Sequence, residues 1–521
     1  MRRIAAARGG VRLQADHCGR LRRMIRRDFF KTPLAFAGLG LAPASPDPRA
    51  RTEAADGEEL AKAADLTRSV AAFIVNSKYE DIPEDVIALG KKTMLDGFGL
   101  ALAGSASVVA PVVRQYIATL GLTRKSATVV GTNVKVPARF AAFVNGVSIH
   151  ADDYDDTGSA LHVAAPILPP AFALCEEGRR SGRDLMLAFH VGVEAASKIG
   201  DAIFPRHDRE GFHTTGTIGS FGSAAACAKL RGLDAEQTAY ALGIAASQAS
   251  GIRRNFGSMT KAFHAGHAAE NGSVAADLAS LGFTAAGDVL ETPLGFFQAA
   301  GGGFDPSAIV NRLGRPWMFA SPGDLIKRFP CGTIQQPVMD ATLRLIAQHA
   351  IKAADVERVD VGGNQSNVNT LFRHRPTTGL EAKFSMEFAV AILLVDGKAG
   401  LGQFTDSSVM RAEVQDMVGR VRFYADPEFD TLGREGAFQA VLEEPMMIRI
   451  QMKDGRVLST RTEPAKGSPK NPMTYDEVAE KFRTNAEFAK WPTAKTESII
   501  RLVSTLERAP ALAPLTAALG T

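Results

Sequence analysis

The sequence predicts a mainly α protein: a large all-helical domain, completed by its own C-terminal helices, with a smaller α+β unit placed before them. Three observations carry this. Apolar residues recur at helical spacing through residues 61–325. Alternating strand-like runs and a hairpin signal appear only after Pro330. The helical period then returns beyond a Pro- and Gly-rich stretch at 464–472. The expected boundaries are therefore 60–325 and 472–510 for the helical domain, with 326–471 as the α+β unit.

A basic head precedes the first helix. Residues 1–44 hold ten Lys/Arg against two Asp, which leaves 50 basic and 54 acidic residues in the rest of the 521-residue chain. The formal charge of +4 therefore does not mark a nucleic-acid-binding body. Within the head, Arg26-Arg27-Asp28-Phe29-Phe30-Lys31 carries the paired arginines of a twin-arginine export signal. A short apolar run at 32–41 and Ala42-Pro43-Ala44 complete the pattern of a cleavable secretory signal. This implies the Tat export machinery as a partner and a periplasmic location, with Met1 or Met24 as the start. A basic leader without export is the alternative. No later apolar run is long enough to span a membrane, so stable membrane insertion is not expected.

In the helical domain, Pro83 with Glu84-Asp85 opens a helix that runs toward Gly104. Ala127-Thr-Val-Val-Gly and Val134-Lys-Val read as a brief pair of β segments around Thr132-Asn133. Pro137-Ala-Arg-Phe-Ala-Ala-Phe-Val-Asn-Gly reads as a buried helix, and further helices are expected at about 164–177, 183–200, 216–230, 235–249 and 262–281. Small residues such as Gly219, Gly222 and Ala224 would let these helices pack closely. In the α+β unit, 356–362, 420–424 and 447–453 read as strands, and Asp454-Gly455 turns the last of them into 456–461. Helices at about 334–350, 382–396 and 408–418 alternate with them, and the chain closes with helices at about 474–485 and 495–507. Cys18 lies in the head, and Cys175, Cys227 and Cys331 are far apart, so no disulfide framework or C-x-x-C metal site is expected.

The chemistry is concentrated in His150-Ala-Asp-Asp-Tyr-Asp-Asp-Thr157 and the following His162. Four carboxylates in five positions, placed after a buried helix, require pairing, hydrogen bonding or partial protonation. Such clusters favour acid–base work, while a solvated acidic loop is the alternative. Gly211-Phe-His213-Thr-Thr-Gly precedes an Ala-rich helix, where free N–H groups suit an anion, although a histidine merely capping the turn fits equally. Arg253-Arg254 with Lys261, His264 and His267 is the densest cationic element. Neighbouring cations would lower the Lys261 pKa and make it useful near neutrality. Lys327-Arg328-Phe-Pro-Cys-Gly and Arg373-His374-Arg375-Pro add further positive charge. No dinucleotide or P-loop glycine spacing is present, and no calcium-loop spacing. Acid–base chemistry on a small polycarboxylate, without metal or cofactor, fits this set.

The chain resembles the MmgE/PrpD family. The similarity is carried by Met94-Leu-Asp-Gly-Phe-Gly, Asn145-Gly with the His150–Thr157 run, Gly211-Phe-His-Thr-Thr-Gly-Thr-Ile-Gly, and Lys261 with His264-Ala-Gly. Lys327-Arg-Phe-Pro-Cys and Glu381-Ala-Lys-Phe-Ser-Met-Glu-Phe extend it. The resemblance implies a helical domain closed by the C-terminal helices, an α+β lid, a pocket between them, no metal and a homodimer. It implies site residues Asp153, His162, His213 and Lys261. Lys261 and His213, with Lys327, are expected to bind carboxylate, and Asp153 and His162 to move protons. The chain departs from the family twice: Gln336 and its neighbours stand where many members carry a lid histidine, and Phe388 stands in place of a tyrosine. The expected function is a cofactor-independent lyase, a dehydratase or decarboxylase, acting on a small carboxylate such as 2-methylcitrate or cis-aconitate. An epimerase or isomerase working by α-proton transfer, or an exported non-catalytic carboxylate binder, are the alternatives.

Overall fold

The structure, a computed structural model, describes residues 65–159, 161–429 and 445–521. The expected export leader at 1–44 lies outside them. The helical part comprises α1 (Leu66–Asn76), α2 (Glu84–Ser105) and α3 (Ala110–Thr119), then β1 (Ala127–Thr128), β2 (Lys135–Val136) and α4 (Ala138–His150). After β3 (Thr157–Gly158) follow α5 (Ala164–Glu177), α6 (Gly182–Asp201), α7 (Thr214–Arg231), α8 (Ala235–Gln248) and α9 (Met259–Ser280). β4 (Asp324–Leu325) leads into the α+β part. That part contains α10 (Gln336–His349), β5 (Val356–Gly363), α11 (Met386–Asp396), α12 (Ala412–Arg420), β6 (Val421–Ala425), β7 (Met447–Met452) and β8 (Val457–Arg461). The chain ends with α13 (Tyr475–Phe488), α14 (Thr493–Ser504) and α15 (Ala513–Leu519).

Local chemistry explains the helix starts. Pro83 and Pro137 sit at the N-caps of α2 and α4, where a missing N–H costs nothing. Ser181 with Asp184, Asp234 with Gln237, and Thr474 with Glu477 form reciprocal capping boxes on α6, α8 and α13. α9 begins at Met259 rather than at 262, which places Lys261 in its first turn. The helix expected at 382–396 is split, because Ser385 accepts from the Phe388 N–H and starts a new N-cap. The helix expected at 408–418 is likewise divided, into Asp406–Val409 and Ala412–Arg420. α3 was not legible from spacing: only Ala110 and Ile117 of its ten residues are buried, too few for a clear stripe.

The apolar core falls into two clusters. One joins α1–α9 with Phe482, Val503 and Leu519 of the C-terminal helices. The other lies beneath the four-stranded sheet and includes Val359, Phe388, Ile392 and Ile450. Strand order there is β6-β5-β7-β8, with β5 and β6 parallel and the remaining pairs antiparallel. A parallel pair needs a crossover, and α11 and α12 supply it. Gly455, at φ +89°, makes the hairpin turn between β7 and β8. The two-residue pairing of β3 with β4 joins the acidic loop to the segment that carries Lys327.

Candidate active site

α4 delivers His150 at its last position, fully buried, and the chain then turns sharply. Asp153 sits at φ +50°, a left-handed conformation unusual for a residue with a Cβ. Surrounding contacts hold it there. Lys261 Nζ donates to Asp153 Oδ1 at 2.6 Å, and Lys327 Nζ donates to Asp153 O at 2.9 Å and to Oδ1 at 3.2 Å. Lys383 donates to Asp152 O at 3.0 Å, and Lys481 donates to Tyr154 O at 2.9 Å. Four lysines from distant segments thus pin one acidic loop, which answers how so many carboxylates can be buried. The loop is not a solvated cap: Asp153, Asp155 and Asp156 are all buried.

The loop carboxylates differ sharply in their electrostatics. Burial alone would raise the Asp153 carboxyl, but Lys261 and Lys327, with His162 and His150, outweigh it and hold it well below the ordinary range. A carboxylate so stabilised is a poor proton acceptor. Held between Lys261 and Lys327, it anchors two ammonium groups. Asp155 is also held well below its ordinary range, with burial outweighed by His150 and His162. Asp156 goes the other way, raised by burial and by Asp324 and Asp155. Its oxygens accept from the Val163 and Ala164 N–H groups at 2.7 and 3.0 Å, so it serves the start of α5.

The histidines converge on the same point. His162 Nδ1 donates to Asp156 O at 2.5 Å, so its Nε2 carries the lone pair. His213 is the N-cap residue of α7 but makes no capping bond with its side chain. Its Nδ1 instead lies 3.0 Å from His264 Nδ1, and its ring stacks on His150 at 5.5 Å between centroids. Burial, and then the nearby cations and imidazoles, push His213 well below the usual imidazole range. Burial also dominates at His162, outweighing the opposing pull of Asp155. Both are neutral at neutral pH, the form able to take a proton. Lys261 is lowered by burial, against the attraction of Asp153. Its ammonium faces the rings of Phe256 and Phe384 at 5.3 and 5.6 Å.

Between these groups lies a cavity of about 130 Å³, lined by Asp153, His162, His213, Lys261 and Lys327 from one side and by Thr333, Leu371 and Phe384 from the other. All five residues expected at the site thus meet on one cavity. Arg253 reaches its rim, held by Asp208 at 2.6 Å and by Thr370 at 2.7 Å. Arg373 and His374 are paired with Glu381 and Glu387. A larger groove of about 890 Å³ opens behind Tyr154. Its cations Arg328, Arg344, Lys466 and Lys481 are each matched by a carboxylate, so it offers an anion little.

Neither departure from the family pattern lines the cavity. The Gln336 side chain accepts from the Arg328 and Phe329 N–H groups and donates to Phe329 O, bracing the segment after Lys327. Phe388 packs edge-on against Phe404 in the second core. Spacing also gave no sign of His150 and Asp155 as a pair, because their hydrogen bond depends on how the loop folds back. A metal ion could draw on His150, His162 and His213, whose nearest ring nitrogens lie within 4.8 Å of one another. However, His150 already meets Asp155 with Nδ1 and Lys261 with Nε2, so a cation would compete with the lysine ammonium.

Asp324, beside β3, makes a testable contribution to stability. Burial raises its carboxyl to about 7, against a hydrogen bond from Thr93 and with the help of Asp96. An acid raised in the folded state lends stability that is fully present below its unfolded value and is lost as pH rises through about 7. Asn at this position carries no such penalty. Asp324→Asn should therefore gain stability relative to the parent between pH 5 and pH 8, by an amount on the order of 2–4 kcal/mol. Urea unfolding of both proteins at the two pH values measures this. A difference that does not change with pH would contradict the buried, protonated carboxyl.

A helical body under an α+β unit, with ammonium groups and neutral imidazoles around a small cavity, defines an acid–base site for an anionic substrate. Comparison with known proteins places it further. The chain matches the MmgE/PrpD N-terminal domain over residues 68–309 and the MmgE/PrpD C-terminal domain over residues 329–508. It is 31% identical over 455 residues to the cis-aconitate decarboxylase of Homo sapiens, covering 85% of this chain and 92% of that protein. It is 30% identical over 462 residues to the Mus musculus cis-aconitate decarboxylase, covering 85% and 91%. It is 30% identical over 479 residues to that of Aspergillus terreus, covering 86% and 95%. The chain belongs to the MmgE/PrpD family, and it is an enzyme of the lyase type.

Proposed function

We propose that this enzyme decarboxylates a small unsaturated tricarboxylate of the cis-aconitate type, without a cofactor. The observation that carries the reading is the pairing of Lys261 and Lys327 with the neutral imidazoles of His162 and His213 on one cavity. The curated relatives matched over most of their length are cis-aconitate decarboxylases.

The chemistry follows from charge. Loss of CO₂ from the CH₂–COO⁻ arm breaks a C–C bond, whose electron pair becomes a new terminal C=C bond. The former π pair moves to the carbon beside the opposite carboxylate, and that carbon takes a proton. Lys261 and Lys327 stabilise the negative charge that gathers on this carboxylate. His213 or His162, protonated in the course of turnover, delivers the proton. Phe256, Phe384 and Leu371 keep water from the developing carbanion. Asp153, held between the two lysines, sets their positions. Export by the twin-arginine pathway and a homodimeric state belong to the same proposal, resting on residues 26–44 and on the family resemblance respectively.

The test is to incubate the purified enzyme in D₂O with cis-aconitate, 2-methylcitrate, citrate and itaconate, following each by NMR. The expected result is consumption of cis-aconitate, release of CO₂ and a methylene-bearing product with one deuterium beside its carboxylate. Dehydration of 2-methylcitrate with cis-aconitate untouched, deuterium exchange alone, or binding without turnover would each overturn the decarboxylase reading.

A further inference from the structure

His150 stands outside the chemistry proposed above, yet both of its ring nitrogens are committed. Nδ1 lies 2.8 Å from Asp155 Oδ2, and Nε2 lies 2.7 Å from Lys261 Nζ. These contacts are consistent in only one arrangement. An ammonium group can only donate, so Nε2 must present its lone pair, and the single ring proton must then reside on Nδ1, pointing at the carboxylate. Nothing competes with this, since Asp155 Oδ1 has no partner among the described residues. His150 and Asp155 are both fully buried, so no solvent path offers the ring another acceptor.

We propose that Asp155 locks His150 in its Nδ1–H form, and that His150 thereby holds Lys261 as an oriented ammonium donor to the substrate. Lys261 has three N–H bonds. One is taken by His150 and one by Asp153, which leaves one for a carboxylate in the cavity. Were the ring proton on Nε2, two donors would meet at 2.7 Å, and Lys261 would have to swing away or give up a proton. The other groups around the ring do not supply this control. Asp153 is taken by the two lysines, His213 stacks on the ring face, and His162 meets it edge-on at 4.7 Å between centroids. The same Asp155 Oδ2 lies 3.6 Å from His162 Nδ1, too far for a hydrogen bond, and that ring is held by Asp156 O instead. His150 and Asp155 are positioning residues, acting through Lys261. The inference rests on the proposed decarboxylation for its effect on rate, but not for the tautomer itself.

Two measurements test it separately. Nitrogen-15 NMR of the substrate-free enzyme, labelled at histidine and assigned with a His150→Gln variant, should show His150 protonated at Nδ1 and bare at Nε2. A signal from the opposite tautomer would overturn the proposal whatever the enzyme's substrate. The second measurement is a double-mutant cycle on turnover. Asp155→Asn should lower kcat/KM at least tenfold and move the alkaline limb of its pH profile to lower pH, because Lys261 loses the fixed lone pair of His150 and the nearby negative charge of Asp155, keeping only Asp153. In a His150→Gln background, where the amide oxygen can accept from Lys261 and no tautomer exists to control, Asp155→Asn should cost less than threefold. An equal cost in both backgrounds would mean that Asp155 only supports the fold, and would overturn the proposal. If the parent enzyme leaves cis-aconitate untouched while the NMR shows Nδ1–H, the substrate reading fails and the lock stands.

Discussion

Replacing Lys261 with Met should lower kcat/KM on the decarboxylated substrate by at least about 10³-fold while leaving the protein folded. Met keeps the length and the apolar stem of lysine and removes only the ammonium. That ammonium is the one cation in contact with His150, Asp153 and the cavity together among the described residues. A removed charge stabiliser in a dry site typically costs 10²–10³-fold, and a misplaced proton donor adds to it. Losing one partner of a buried pair also costs stability, on the order of a few kcal/mol. Here Asp153 retains Lys327 at 3.2 Å, which limits the damage. Lys261→Arg should not restore activity, because a planar fork cannot occupy the space of a compact ammonium between Phe256 and Phe384. Assays of CO₂ release, paired with circular dichroism and melting curves, separate the two effects. A folded Lys261→Met variant within tenfold of the parent would remove Lys261 from the mechanism.

Gly266→Val should be severely damaging to the helical core, costing on the order of 3–5 kcal/mol or preventing accumulation of folded protein. α9, which carries Lys261, crosses α4, which carries His150, at two facing glycines. A Cβ on Gly266 would lie 2.4 Å from Val147 Cγ2 and 2.5 Å from Phe143 O, and one on Gly146 would lie 2.9 Å from the Gly266 Cα. The Phe143 carbonyl belongs to the α4 backbone and cannot turn aside. The helices would have to part, and the 2.7 Å contact between Lys261 and His150 would part with them. Even Ala, which gains up to about 1 kcal/mol over Gly in a helix interior, should be destabilising here. Gly287 is the control, because a Cβ added there would meet nothing within 4 Å. Gly287→Ala should leave the denaturation midpoint unchanged, whereas a Gly266→Val protein as stable as the parent would mean that the two helices are not held this closely.

Much of the architecture could be read from residue spacing, because it depends on local chemistry. Capping residues, the prolines before α2 and α4 and the Asp454-Gly455 turn each act within a few residues. α3 was missed because it buries one sparse edge, and β3 and β4 because a two-residue strand has no period. The site divides in the same way. The acidic loop and Lys261 stood out by residue type, and the family resemblance selected Asp153, His162 and His213 from among similar neighbours. What spacing could not give was the pairing. Asp153 meets Lys261 and Lys327 across 108 and 174 residues, contacts that no local pattern announces. His264 likewise reads as one cation among several, yet it is the partner of His213. Gln336 and Phe388 looked like lost catalytic groups by position, and their side chains serve the packing beside the cavity instead.

The cavity between Asp153, Lys261 and the paired imidazoles is expected to hold the carboxylate substrate. A crystal structure with tricarballylate, the saturated analogue of cis-aconitate that cannot undergo the allylic shift, checks this at the level of single atoms. One carboxylate should lie within hydrogen-bond distance of Lys261 Nζ, taking its third N–H, with His162 and His213 facing the carbon chain. Tricarballylate seated instead in the groove behind Tyr154, with the Lys261 cavity empty, would contradict it.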